Sequence, residues 1–112
     1  MHLVFVYGTL KQGQPNHRLL SPLKPIFGVA QGFDLHAGPQ FPFAIKGQGQ
    51  IKGEVYEVDD KTLALLDKLE GVPTFYQRIK AKVITYKGDL ECWIYISHLA
   101  KQYPKIESGE WR

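Results

Sequence analysis

Two short stretches of the 112-residue chain carry residue types that can do chemistry together: Tyr7-Gly8-Thr9-Leu10 near the start and Glu70 before Gly71. An apolar run that ends in an aromatic and then glycine delivers several backbone N–H groups to one end of a sheet. Such groups, unpaired within the sheet, cradle a carboxylate or a developing oxyanion. Thr9 adds a hydroxyl and Lys11 a cation close by. Glu70 falls in the last turn of a helix, where the macrodipole disfavours negative charge by about 0.3–1 kcal/mol. A carboxylate held there with partial burial has a raised pKa, as a general base near neutral pH requires. Each feature also has a plain reading. The turn can be an ordinary strand-to-loop break, and Glu70 an exposed acid tolerating a small cost.

Tyr76 and Arg78 follow the helix stop and, in a strand, point to one face as i and i+2. They either line the pocket that Glu70 enters or cover the edge of the core. Other motifs fail on spacing. Gly8 to Gly13 has the glycines of a phosphate loop, but Gln14-Pro15 stands where Lys-Ser/Thr is required. Gly47, Gly49 and Gly53 do not space as a dinucleotide fingerprint. His2, His17, His36 and His98 lack metal-ligand spacing, and Cys92 alternates with Ile94 and Ile96 as a core residue. No metal or cofactor is expected.

The elements that must position these residues are legible in part. Leu3 to Val6 reads as a strand buried on both faces, and Gly8 to Pro15 as a loop. Asn16 can cap a short helix over His17 to Leu20, ended by Pro22. Ile26–Ala30 and Gly32–His36 suit short bent strands, and Ile51 to Val58 a clearer one. Asp59 or Asp60 caps a helix over about 60 to 70, with Leu63, Leu66 and Leu69 on one face, Leu65 beside them and Gly71 as the stop. Ile79, Ala81 and Val83 alternate with Arg78, Lys80 and Lys82. A turn at Lys87-Gly88-Asp89 then folds Leu90 to Ser97 back as the second arm of a hairpin. Short strands with one solid helix describe an α+β domain on a curved mixed sheet or small barrel.

Composition narrows the classes. The chain is 44% hydrophobic and 22% charged, with a formal net charge of +3. Its length suits one domain, residues 1–112, that buries roughly two thirds of its unfolded surface without metal or disulfides. One cysteine excludes an internal disulfide and suits a reducing compartment. No stretch approaches the ~20 apolar residues of a membrane span, and the start lacks the features of a signal peptide. A cytoplasmic protein without membrane association is expected. The lysines are scattered, and no nucleic-acid-binding motif accompanies them, so no nucleic-acid partner is expected. Oligomeric state is not legible.

Taken in order, several segments resemble one family. Leu3 to His17, with Tyr7-Gly8-Thr9-Leu10 at its centre, resembles the opening of the γ-glutamylcyclotransferase-like family, nearest its γ-glutamylamine cyclotransferase branch. Gly53-Glu54-Val55-Tyr56-Glu57-Val58 is similar to the family's next strand. Leu66 to Gly71 followed by Tyr76-Gln77-Arg78 is similar to its catalytic helix end. Ser108-Gly109-Glu110-Trp111-Arg112 resembles a closing element commonly written with Asp in place of Glu110.

The resemblance implies a small mixed β-barrel with flanking helices. It also implies conversion of a small γ-glutamyl amine or amide to 5-oxoproline and the free amine. In that scheme Glu70 is catalytic, Gly8 to Leu10 hold the substrate carboxylate or the oxyanion, and Tyr7, Tyr76 and Arg78 complete the binding site. Thr9 occupies a position often held by Ser. The chain is also shorter than the animal amine-specific members, so the leaving-group side is expected to differ. A non-catalytic module binding γ-glutamyl or carboxylate ligands is the alternative from another class.

Overall fold

The computed structural model describes residues Met1–Arg112. Five strands run in chain order as β1 (His2–Val6), β2 (Ile26–Ala37), β3 (Pro42–Val58), β4 (Gln77–Thr85) and β5 (Gly88–Ile96). One helix, α1 (Asp60–Glu70), connects β3 to β4. The strands pair as β1-β3-β2-β4-β5 and close, because β1 lies between β3 and β5. The β1–β5 pair is parallel, with Val4 opposite Trp93, and the other pairs are antiparallel, so the sheet is mixed.

Period-two alternation divides the strand residues into two buried sets. Phe5, Ala30, Leu35, Ile51, Val55, Val83, Cys92 and Ile94 pack with one another inside the closed sheet. Val4, Val6, Ile45, Tyr56, Val58 and Tyr95 point the other way, onto Leu63 and Leu66 of α1 and onto Leu10 and Leu20. β1 is therefore buried on both faces, which accounts for its unbroken apolar run.

Local signals set the ends of α1. The Asp59 carboxylate accepts from the Thr62 N–H at 2.7 Å, and Gly71 takes a left-handed conformation (φ 66°) with its N–H on the Asp67 and Lys68 carbonyls. Three expectations need correction. The two short strands expected over 26–36 are one strand of 12 residues, kept continuous by a bulge between Gln31 and Phe33 at Gly32 (φ 82°). The strand expected from Ile51 begins at Pro42 and pairs with β2 along most of its length. The expected second helix is a single 3₁₀ turn, His17–Leu19. Asn16 makes no side-chain capping bond: its Nδ2 donates to Thr9 Oγ1 at 3.0 Å, and its Oδ1 accepts from the Arg18 guanidinium at 3.3 Å. The flanking helices thus reduce to α1 and two 3₁₀ segments, the other being His98–Gln102. No helix is long and apolar enough to cross a membrane.

Candidate active site

The turn after β1 is built to leave donors free. Lys11 N–H returns to the Gly8 carbonyl and Asn16 N–H to the Thr9 carbonyl, which folds residues 8–16 into a tight loop. Within that loop the N–H groups of Gly8, Thr9 and Leu10 find no acceptor in the protein. Neighbouring N–H groups without partners form an anion-binding concavity. The Thr9 hydroxyl accepts from Asn16, so its own proton is available to a ligand. A Cβ at Gly8 would lie 2.9 Å from the Pro42 ring, so glycine lets β3 approach the loop closely.

Glu70 ends α1 and shares a cavity of about 130 Å³ with this turn. The lining comprises Phe5 to Leu10 and Asn16 from the first strand and loop, Phe41 and Pro42, Leu69 and Glu70, Phe75 and Tyr76, and Tyr95. No side chain of the protein hydrogen-bonds or ion-pairs with the Glu70 carboxyl. Burial alone raises its pKa from 4.5 to about 7. A carboxyl at that value is both an adequate base and an adequate acid at neutral pH.

Three tyrosines surround the carboxyl, and each gives its proton to the protein. Tyr7 donates to the Tyr95 carbonyl, Tyr76 to the Pro42 carbonyl at 2.8 Å, and Tyr95 to Asp67 Oδ1 at 2.7 Å. The Tyr76 and Tyr95 oxygens therefore keep lone pairs for other donors, while the Tyr7 oxygen already accepts from the Ala44 N–H at 3.3 Å. Burial holds all three hydroxyls well above their ordinary range, so they stay neutral, and the nearby Glu70 charge pushes the same way.

Of the residues singled out in the sequence, Tyr7, Gly8, Thr9, Leu10, Glu70 and Tyr76 meet around this cavity. Arg78 does not join the lining. Its Nε lies 3.0 Å from Asp67 Oδ1 and its guanidinium stacks 4.2 Å over Trp93. The Nε proton is not well aimed at that oxygen, so the pair is ionic rather than a good hydrogen bond. The i, i+2 argument fails because β4 starts only at Gln77, after Tyr76.

Sequence reasoning missed Tyr95, Asp67 and Glu54. Tyr95 looked like one more residue of an alternating strand, and only the closing of β5 onto β1 brings it to Glu70. Glu54 is 7% exposed and accepts from Gln12 N–H at 3.0 Å and Tyr56 O–H at 2.8 Å. It staples the loop of residues 8–16 to β3. A buried acid within an apolar strand was the available signal. Glu54→Ala leaves both donors without a partner and is expected to cost about 1–3 kcal/mol. It should also raise KM more than it lowers kcat, whereas Glu54→Gln keeps an acceptor and a near-normal KM. Thermal melts alongside steady-state kinetics read both effects.

No group of three or more His, Cys, Asp or Glu stands close enough to hold a metal ion. The Cys92 thiol is buried, and burial pushes it up to about 11, so it is not a poised nucleophile.

A closed mixed sheet brings one unpaired acid and an anion-binding turn into a common cavity of small-ligand size. Residues 4–112 match the family described as gamma-glutamyl cyclotransferase, AIG2-like, and the chain belongs to that family. A relative from Vibrio cholerae is 41% identical over 113 residues, covering 98% of this chain and 95% of its own. The gamma-glutamylaminecyclotransferase of Bos taurus is 39% identical over 107 residues, covering 82% of this chain and 63% of its own. Among solved structures, an AIG2-like protein from Mus musculus superposes with a TM-score of 0.85 at 27% identity, covering 100% of this chain and 88% of its own. A protein from Pyrococcus horikoshii superposes at 0.82 with 30% identity, covering 98% and 89%.

Proposed function

We propose that this chain converts a γ-glutamyl amine or amide to 5-oxoproline and the free amine by intramolecular attack, with Glu70 moving the protons. The observation that carries the reading is the unpartnered, pKa-raised Glu70 carboxyl in the same small cavity as the free N–H groups of Gly8, Thr9 and Leu10.

The substrate's α-carboxylate or its developing oxyanion takes the free N–H groups and the Thr9 hydroxyl. Its α-ammonium lies against Glu70 and the phenolic oxygens. Glu70 takes one proton from the ammonium, and the freed nitrogen attacks the γ-carbonyl carbon of the same molecule. The tetrahedral centre collapses, the bond to the departing nitrogen breaks, and Glu70 returns the proton to that nitrogen. Over the cycle the α-nitrogen loses two protons and the departing amine gains two, and one carboxyl passes both in turn. Holding the glutamyl chain folded supplies much of the rate, because effective molarities for oriented intramolecular attack reach about 10⁵–10⁸ M.

The test measures 5-oxoproline from γ-glutamyl amines, γ-glutamyl amino acids and glutathione. Formation from at least one supports the reading. Tight binding of such compounds with no turnover supports the binding-module alternative. The pH profile is a further expected result. Ionised Glu70 is the base, so kcat/KM should fall about tenfold per unit as pH drops below about 7. A profile flat between pH 5 and 8 would exclude Glu70 as that base.

A further inference from the structure

Asp67 and Glu70 stand at i and i+3 on α1, so the two acids are neighbours on the helix surface. Only Glu70 lines the cavity. Asp67 turns to β4 and β5 instead. Its Oδ1 accepts from the Tyr95 hydroxyl at 2.7 Å and lies 3.0 Å from Arg78 Nε. Arg78 is held in turn, with its guanidinium 4.2 Å over the Trp93 ring. The charge of Asp67 is therefore met by Arg78. Its hydrogen bond goes to a tyrosine of the cavity wall, so Asp67 acts on the site through Tyr95.

A phenol has one proton to give. With that proton on Asp67, the Tyr95 oxygen can only accept inside the cavity. A substrate ammonium then meets an acceptor there and no competing donor. Glu70 in turn receives no hydrogen bond from Tyr95. The Tyr7 and Tyr76 protons are likewise committed, to the Tyr95 and Pro42 carbonyls. No lysine, arginine or histidine lines the cavity from any element, and Lys68 on α1 is exposed outside it. Apart from the loop N–H groups and the Thr9 hydroxyl, the wall thus offers the carboxyl no free donor. A donor aimed at Glu70 would favour its ionised form and make it a weaker base.

We infer that Asp67, anchored by Arg78, is a positioning residue for the reaction: it draws the Tyr95 proton out of the cavity, leaving the phenol oxygen to accept from the ammonium and the Glu70 carboxyl without a donor. This deepens the cyclotransferase reading above and rests on it.

The experiment follows Glu70 itself and the rate it supports. Glu70 is titrated by NMR in protein labelled at the glutamate carboxyl carbon, with Glu70→Gln identifying its signal. In parallel, kcat/KM is measured against pH with the best of the γ-glutamyl compounds above. Asp67→Ala frees the Tyr95 proton to turn toward Glu70, the one charged acceptor in the lining. The Glu70 midpoint and the acidic limb of kcat/KM should both move about one pH unit lower. KM should rise about tenfold, because a proton now faces the ammonium. Asp67→Asn removes the same charge but keeps an acceptor for Tyr95, so its midpoint should stay above that of Asp67→Ala. Adding Tyr95→Phe to Asp67→Ala removes the redirected proton and should bring the midpoint back up. Tyr95→Phe alone, which leaves the Asp67–Arg78 pair in place, should raise KM and leave the midpoint where it is in the parent.

A parental midpoint in Asp67→Ala would overturn the inference. So would a lowered midpoint that Asp67→Asn shares in full and Tyr95→Phe does not reverse, since Arg78 left unpaired would then be the cause. A midpoint that rises in Tyr95→Phe alone would also overturn it, because Tyr95 would already be donating to Glu70. Each of these outcomes leaves the cyclotransferase reading standing. Absence of 5-oxoproline from every compound would remove that reading and the inference with it.

Discussion

Glu70→Gln should lower kcat for 5-oxoproline formation by about 10²–10⁴-fold while making the protein more stable at neutral and alkaline pH. The loss follows from the two duties proposed for the carboxyl, since glutamine neither accepts the ammonium proton nor returns it. KM should change little, because the turn donors and the cavity walls remain.

The gain in stability has the same physical origin as the raised pKa. Below the unfolded value near 4.5 the acid is protonated in both states and affects stability equally. Between about 4.5 and 7 the unfolded chain releases its proton while the folded one retains it, so stability falls as pH rises through that window. Above about 7 the full cost of ionising a buried, unpaired carboxyl is present. After allowing for solvent at the cavity mouth, that cost is on the order of 1–3 kcal/mol. Denaturation curves at pH 4 and pH 8 should thus separate the variant from the parent only at the higher pH. A near-normal rate in the variant would remove Glu70 from the mechanism. An unchanged stability difference across the pH range would contradict the unpaired, buried placement.

Gly53→Ala should be the most destabilising of the conservative single substitutions considered, at about 3 kcal/mol with a fall in Tm of roughly 10 °C or more. A Cβ there would lie 2.4 Å from the Val6 carbonyl oxygen and 2.6 Å from the Phe5 ring. The first neighbour is backbone held in the β1–β3 ladder, where Val6 stands opposite Glu54, so it cannot rotate away as a flexible side chain would. Relief requires sliding β1, which carries the Tyr7–Leu10 turn, and any folded fraction should show a raised KM. Gly13→Ala is the control. Gly13 has φ 82° but nothing within 4 Å of its Cβ position, so it should cost only about 1–2 kcal/mol. Similar melting points for the two variants would mean that the β1–β3 seam has more slack than its distances imply.

The contrast between these positions shows how far the sequence could be read. Gly53 was visible only as a glycine inside a strand, a sign of close backbone approach without an indication of what approaches. Glu70 was visible as an acid at the wrong end of a helix, and its neighbour Gly71 correctly marked the stop. Arg78 misled because its strand begins only after Tyr76, and because alternation cannot show a competing partner. Asp67, one helical turn before Glu70, takes up its guanidinium.

What the sequence determined by itself was what depends on residues near one another in the chain. Asp59 and Gly71 bound α1, Lys87-Gly88-Asp89 turns β4 into β5, and the unbroken apolar run from Leu3 to Val6 marks β1 as buried on both faces. The family match likewise rests on short motifs in order. The resemblance implied that Glu70 and the Gly8–Leu10 turn act together, but tertiary structure decided how: the carboxyl, the N–H groups and the Tyr95 ring share one cavity. That meeting requires β1 to close the sheet between β3 and β5. The raised pKa of Glu70 is also a tertiary property. Desolvation sums over every group that displaces water around the carboxyl, and most of those groups lie far from it in sequence.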